Sequence, residues 1–238
     1  MTYLIFGATG GIGSTLCKVL QAQGHRVIAS ARDPQKLAML SSELGTPPLL
    51  ADATLAAEVA EAFAEAGPID GVANCVGSLL LKPAHITTDD EWSAVLRTNL
   101  DSAFYILRAA AKAMMNTGGS IVLVSSAAGR VGLANHEAIA AAKAGIIGLT
   151  LSAAATYAPR NIRVNCVAPG LTATPLTARI TGNESAAKAS AAMHALGRLG
   201  AASDIANMMA FLLDPANAWI TGQTFGVDGG LGTVRGKS

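Results

Sequence analysis

Thr2-Tyr3-Leu4-Ile5-Phe6-Gly7-Ala8-Thr9-Gly10-Gly11-Ile12-Gly13 opens the chain directly after its first methionine. A bulky apolar run breaks into four glycines within seven positions, and the chain then continues with apolar residues at helical spacing. That is a strand, a tight turn and the start of a helix. The glycines at 7, 11 and 13 form a G-x-x-x-G-x-G pattern between the two elements. Such a turn lets the backbone approach a pyrophosphate closely, and it aims free amides from the positive end of the helix. A glycine-rich loop taken alone reads equally well as a plain turn. Its place between strand and helix favours the dinucleotide reading.

Working outward, short apolar runs alternate with longer helical patterns to the end of the chain. Strands are expected at Thr2–Phe6, Val27–Ala31, Leu49–Ala51, Gly71–Asn74, Ser120–Ser125, Arg163–Val167 and Thr224–Val227. Helices are expected near Ile12–Gln23, Pro34–Glu43, Leu55–Ala66, Asp89–Met115, Asn135–Ala158 and Ser203–Leu213. The strands are apolar throughout, as strands buried on both faces must be. The pattern predicts an α/β fold: a Rossmann-like, doubly wound, parallel seven-stranded sheet with helices on both faces. Asp33-Pro34 and Ser203-Asp204 read as helix starts, and Asp214-Pro215 as a helix stop. No linker divides residues 1–238, so a single domain is expected. The stretch at about residues 172–196 breaks the rhythm, is rich in Thr, Ala and Ser, and fits an inserted flap over a cleft.

Composition excludes several function classes. With 17 basic and 16 acidic residues in 238, net charge is +1, and no Lys/Arg cluster occurs, which argues against nucleic-acid or anionic-membrane binding. The apolar stretch Ala138–Ala158 carries Lys143 and reads as a buried helix, not a membrane span. The first residues lack a basic region followed by an apolar core, so no secretory signal is expected. Cys17, Cys75 and Cys166 are far apart without metal spacing, so no metal site is expected and they read as buried residues of a cytoplasmic protein.

A second constellation lies further on. Ser126 follows the run Ile121–Val124, Ile139 stands 13 positions later, and Lys143 follows one helical turn beyond. The spacing resembles the Ser, Tyr and Lys of the short-chain dehydrogenase/reductase family, with Ile139 where that family has its Tyr. The glycine pattern resembles that family too, and further motifs fall in its order along essentially the whole chain. These are Asp52 in Ala51-Asp52-Ala53-Thr54, Asn74-Cys75-Val76-Gly77, Asn99 in Arg97-Thr98-Asn99-Leu100, and Pro169-Gly170 followed by Thr174. Gly197-Arg198-Leu199-Gly200 and Val227-Asp228-Gly229-Gly230 extend the likeness.

The resemblance implies cofactor contacts from Gly7, Thr9, Gly11, Ile12, Gly13, Arg32, Asp52, Ala53, Asn74, Gly77, Lys143, Pro169, Gly170 and Thr174. It implies catalytic roles for Asn99, Ser126 and Lys143, and a homotetramer built through two long helices. In that family the Tyr hydroxyl protonates the carbonyl oxygen as hydride arrives, while Lys lowers its pKa and holds the ribose. Ser positions the carbonyl and Asn orders a water chain. Cofactor choice turns on Ser30-Ala31-Arg32: Ala31 removes the acid that would repel a 2′-phosphate, and Arg32 offers a planar fork to one. NADP(H) is expected over NAD(H), the plainer alternative for Arg32 being a pair with Asp33 or contact with the adenine ring.

Ile139 cannot donate a proton. Of the three tyrosines, Tyr157 lies about 27 Å further along the helix, Tyr3 opens the first strand, and Tyr105 is turned away from Asn99. His136, three residues before Ile139, is the candidate acid; its plainer role is to cap the helix or face solvent. Lys143 could also act directly if desolvated. Three readings stay open: a reductase of a small uncharged ketone (or dehydrogenase of a secondary alcohol), a dinucleotide-binding protein without turnover, and an isomerase or reductase of an activated C=C or C=N bond.

Overall fold

The computed structural model describes residues 1–234. Its strands are β1 (Thr2–Phe6), β2 (Arg26–Ala31), β3 (Leu49–Leu50), β4 (Gly71–Asn74), β5 (Gly119–Val124), β6 (Ile162–Pro169), β7 (Thr172–Ala173), β8 (Gly200–Ala201) and β9 (Thr224–Val227). The helices are α1 (Gly11–Ala22), α2 (Pro34–Leu44), α3 (Ala56–Ala66), α4 (Asp89–Leu96), α5 (Ser102–Met114), α6 (Glu137–Tyr157), α7 (Ala178–Thr181), α8 (Glu184–Met193) and α9 (Ala202–Leu213). Seven strands form one parallel sheet in the order β3-β2-β1-β4-β5-β6-β9. The order reverses between β1 and β4, which leaves a crevice at the carboxyl ends of these strands.

Alternation along each strand divides the core between the two faces. Leu4 and Phe6 of β1 face one layer, with Ile121 and Leu123 of β5, Phe63 of α3, Ile106 of α5 and Ile146 of α6. Tyr3 and Ile5 face the other, with Leu16 and Leu20 of α1, Leu37 of α2 and Met209 of α9. The local signals act as expected. Asp33 caps α2 by accepting from the amides of Gln35 and Lys36, both at 3.1 Å, and Asp204 accepts from Ala201 N at 2.8 Å to open α9. Helix α6, continued to Arg160, is long and apolar enough to cross a membrane by length and composition. Its inner face, including Ile139, Lys143 and Ile146, is buried in the protein.

Two elements differ from the sequence reading. The helix expected over Asp89–Met115 is interrupted by a π-helical turn at Arg97–Asp101, which carries the buried Asn99. A π turn inserts one extra residue per turn and often marks a functional position. The irregular flap contains two helices, α7 and α8, and is rooted in a short parallel ladder that pairs Thr172 with Gly200 and Ala173 with Ala201.

Candidate active site

Gly7 directly follows β1 with φ of +70°, a conformation that L side chains rarely adopt, and a Cβ there would lie 2.8 Å from the Cys75 and Val76 backbone. A Cβ on Gly13 would collide with the Gly7 carbonyl oxygen, so α1 leaves the turn in near contact with the strand. Gly10 provides no side-chain cap and the first turn of α1 has no acid. The first amides of α1 therefore have neither an intrahelical acceptor nor a competing carboxylate. Such a helix end is suited to a pyrophosphate. Gly7→Ala is expected to destabilise the fold by about 1–3 kcal/mol through strain at this positive φ, read by urea unfolding.

The other residues expected to hold the cofactor gather around the same crevice. Asp52 accepts from Thr54 N at 2.9 Å and Thr54 Oγ1 at 2.8 Å through one oxygen. Asn74 Oδ1 accepts from Val76 N at 2.9 Å, which shapes the turn after β4. Ala53 is buried beside the strand ends, and Thr9 is half-buried within the glycine turn. Thr174 packs over the loop, and a Cβ on Gly11 would lie 2.8 Å from the Thr174 methyl. Thr174 is fixed in turn by Thr177, whose hydroxyl donates to Thr172 O at 2.6 Å. Arg32 is exposed and forms no ion pair among the described residues, because Asp33 is committed to the α2 amides and to Lys36 at 3.4 Å. The Arg32–Asp33 pair weighed above is thus not formed.

A cavity of about 460 Å3 adjoins this loop. Ser126, His136, Ile139, Lys143, Gly77, Gly170 and Thr174 all line it. The π turn presents Asn99 to the same place. Its Nδ2 donates to Val95 O and Ser78 Oγ, each at 2.9 Å, while its Oδ1 accepts from Ser78 N at 3.2 Å. A Cβ on Gly77 would lie 3.2 Å from Asn99 Oδ1 and 3.6 Å from Lys143 Nζ, so these three residues converge. Ser78 completes the cluster, and neither its type nor its separation of 21 residues from Asn99 marked it in advance.

Lys143 Nζ donates to Val124 O at 2.9 Å, and its backbone oxygen accepts from the buried Ser125 hydroxyl at 2.7 Å. These bonds tie α6 to the end of β5. Burial brings the Lys143 amine down from 10.5 to about 8. Among the described residues no carboxylate supports its charge, and burial pushes the nearby Cys166 thiol up to about 11, so it stays neutral. Ser126 Oγ accepts from Ala128 N at 3.1 Å, which leaves its own proton uncommitted among the described residues. Ile139 is 3% exposed and packs against Val95, Ala138 and Ala142 while touching the cavity.

His136 stands at the N-cap position of α6 and makes no side-chain cap bond. Its Nδ1 lies 2.7 Å from Ala134 O. A carbonyl only accepts, so Nδ1 carries a proton and Nε2 is the nitrogen left for chemistry. No tyrosine lines the cavity. Tyr3 donates to Leu213 O at 3.4 Å, Tyr105 lies under the Arg108 guanidinium, and Tyr157 packs on the core. Among the described residues no cluster of metal-ligating side chains occurs. The remaining walls are mostly apolar, including Leu79, Leu133, Leu176, Ile180 and Met193.

Residues 7–232 match the family described as Enoyl-(Acyl carrier protein) reductase. The chain is 36% identical over 239 residues to 3-oxoacyl-[acyl-carrier-protein] reductase FabG of Escherichia coli (strain K12), spanning 96% of each. A short-chain type dehydrogenase/reductase from Mycobacterium ulcerans superposes with a TM-score of 0.94 at 32% identity, covering 99% of this chain and 90% of that one. Actinorhodin polyketide ketoreductase, solved with NADPH, superposes at 0.92 with 29% identity, covering 98% and 97% respectively. With the crevice, the glycine turn and the Asn99–Lys143 cluster in place, the chain belongs to the short-chain dehydrogenase/reductase family of oxidoreductases.

Proposed function

We propose that this protein is an NADP(H)-dependent oxidoreductase that interconverts a small uncharged ketone and its secondary alcohol, with Ile139 in place of the family's tyrosine. The observation that carries the reading is the convergence of Asn99, Gly77 and Lys143 at the floor of the cavity, next to a turn shaped for a pyrophosphate. When bound, the dinucleotide supplies or accepts the hydride. Gly11, Ile12 and Gly13 hold its phosphates through their amides, with Gly7 and Thr9 shaping the turn. Asp52 and Ala53 would hold the adenine, Asn74 and Gly77 would support the cofactor at the strand end, and Lys143 would donate to ribose hydroxyls. Pro169, Gly170 and Thr174, which line the cavity, would hold the nicotinamide end. Ser126 directs its free hydroxyl proton to the carbonyl oxygen, and Asn99 orders water beside Lys143.

His136 delivers the proton from Nε2 in its imidazolium form, because Nδ1 stays bonded to Ala134 O. His136→Ala is expected to lower turnover by about 10²-fold with cofactor affinity unchanged, measured as NADPH oxidation against a panel of ketones. Unaltered turnover in that variant removes His136 from the mechanism. A second reading has one observation in its favour. Apolar Ile139 beside the cavity suits reduction of an activated C=C bond, the chemistry named in the matching family's description.

The unpaired Arg32 and the absence of an acid at position 31 support NADP(H). Arg32→Ala is expected to weaken NADPH binding about tenfold, the worth of one charge-assisted pair, and to leave NADH binding nearly unchanged. Tighter binding of NADH than NADPH by the natural chain would overturn the assignment. The homotetramer has its own support. On α6, Ala141, Ala144, Gly148, Leu151 and Ala155 form an exposed apolar stripe at helical spacing, and Phe104 is exposed on α5. A helix that is apolar all round calls for a cover, and a second copy of the chain provides one. All three cysteines are free, in keeping with a reducing, cytoplasmic setting.

A further inference from the structure

His194 lies just past α8, where the segment over the cavity returns to the body of the protein. The residue is 4% exposed. Nδ1 lies 2.7 Å from Ser190 O, so that nitrogen carries a proton, and Nε2 accepts from Leu171 N at 3.1 Å. These two bonds select one neutral tautomer. They also join α8 to the loop between β6 and β7 across 23 residues of sequence. The approach depends on glycine at 170, since a Cβ there would lie 2.6 Å from Nε2 and 3.0 Å from Cδ2.

We propose that His194 is a positioning residue: its neutral imidazole latches the flap to the Gly170–Leu171 backbone, seats the wall that faces the nicotinamide, and releases both on protonation. The nicotinamide clause rests on the function proposed above, whereas the latch stands on geometry alone. Protonation places a hydrogen on Nε2, which then meets the Leu171 N–H donor to donor. The lost acceptor leaves a part-buried amide unsatisfied and a buried residue charged.

The surroundings offer the extra proton no ready partner. The loop from Gly170 to Thr174 contains no titratable group. On α8, Glu184 and Lys188 are exposed. After β9, Asp228 accepts from the amides of Gly230 and Gly232, both at 3.0 Å, and faces Arg130 at 4.0 Å. Arg198 and Asp204, beside His194 in a neighbouring cavity, pair with each other at 2.7 Å. Lys143 lines the main cavity together with His194.

Amide hydrogen exchange of peptides covering residues 170–196, in the cofactor-free chain, tests the latch at about pH 8 and about pH 5.5 after correction for intrinsic exchange. His194→Leu removes the acceptor; His194→Gln keeps an acceptor at the Nε2 position and does not titrate. The natural chain is expected to exchange about tenfold faster at the acid pH, His194→Leu fast at both and His194→Gln slow at both. Equal protection in His194→Leu and the natural chain at the higher pH overturns the proposal. So does an acid response in His194→Gln as large as the natural one, or equal lability of the two variants. A raised KM for NADPH in His194→Leu tests the nicotinamide clause. A chain that never oxidises NADPH defeats the proposed function and leaves the exchange result standing.

Discussion

Ile139→Tyr is expected to raise NADPH-dependent ketone reduction by about 10²-fold, because a positioned general acid contributes roughly 10²–10⁴ to such a step. The other parts are in place: Ser126 and Lys143 line the same cavity, and Asn99 approaches Lys143 through Gly77. The added ring has somewhere to go, since position 139 opens on about 460 Å3 of space. Its crowding of Val95 and Ala142 is expected to cost about 1–3 kcal/mol in stability. Turnover by His136→Ala with and without the added phenol separates two donors. If the phenol rescues the loss, both groups serve one proton. Unchanged turnover in Ile139→Tyr, with NADPH still bound, means that proton delivery does not limit the reaction, and its persistence in the His136→Ala background favours chemistry that needs no donor.

Lys143→Met is expected to abolish cofactor-dependent turnover, by 10²-fold or more, and yet to stabilise the fold. The reason is the cost of an ammonium that is buried with one carbonyl as its hydrogen-bond partner. Its folded-state pKa of about 8 lies below the ordinary 10.5, owing first to desolvation. Below about pH 8 both folded and unfolded chains are protonated, and the folded state bears the whole penalty. Between about 8 and 10.5 the unfolded chain holds more protons, so stability rises with pH; above 10.5 the penalty is gone. At about 1.4 kcal/mol per pH unit, the gap amounts to ~3 kcal/mol as an upper bound. Methionine preserves the apolar stem and carries no charge. Urea unfolding near neutral pH should find the variant more stable by about 1–3 kcal/mol, with the difference shrinking toward pH ~10. A less stable variant at neutral pH would mean that the Val124 bond outweighs desolvation.

The glycine turn was legible because its chemistry is local: one strand, one positive φ and one helix start lie within a dozen residues. The parallel sheet was legible for a related reason, as strands buried on both faces must be apolar at every position. Asn99 was legible as a residue type, but the π turn that carries it was not, since one extra residue barely disturbs a helical apolar pattern. Ser78 and His194 were hidden for a different reason. Ser78 meets Asn99 across 21 residues, and His194 bonds the amide of Leu171, a backbone group that leaves no mark in side-chain sequence. Arg32 could be read either way until Asp33 was seen to spend its carboxylate on α2 and Lys36.

The contact between the Thr174 methyl and Gly11 has a consequence for engineering this chain. It joins the root of the flap to the glycine turn, while His194 anchors the far end to the Gly170–Leu171 backbone. What lies between, residues 178–193, is the exchangeable cassette. A graft cut inside those two anchors is expected to leave the glycine turn intact. One cut at Thr172 is expected to sever the root and disturb that turn.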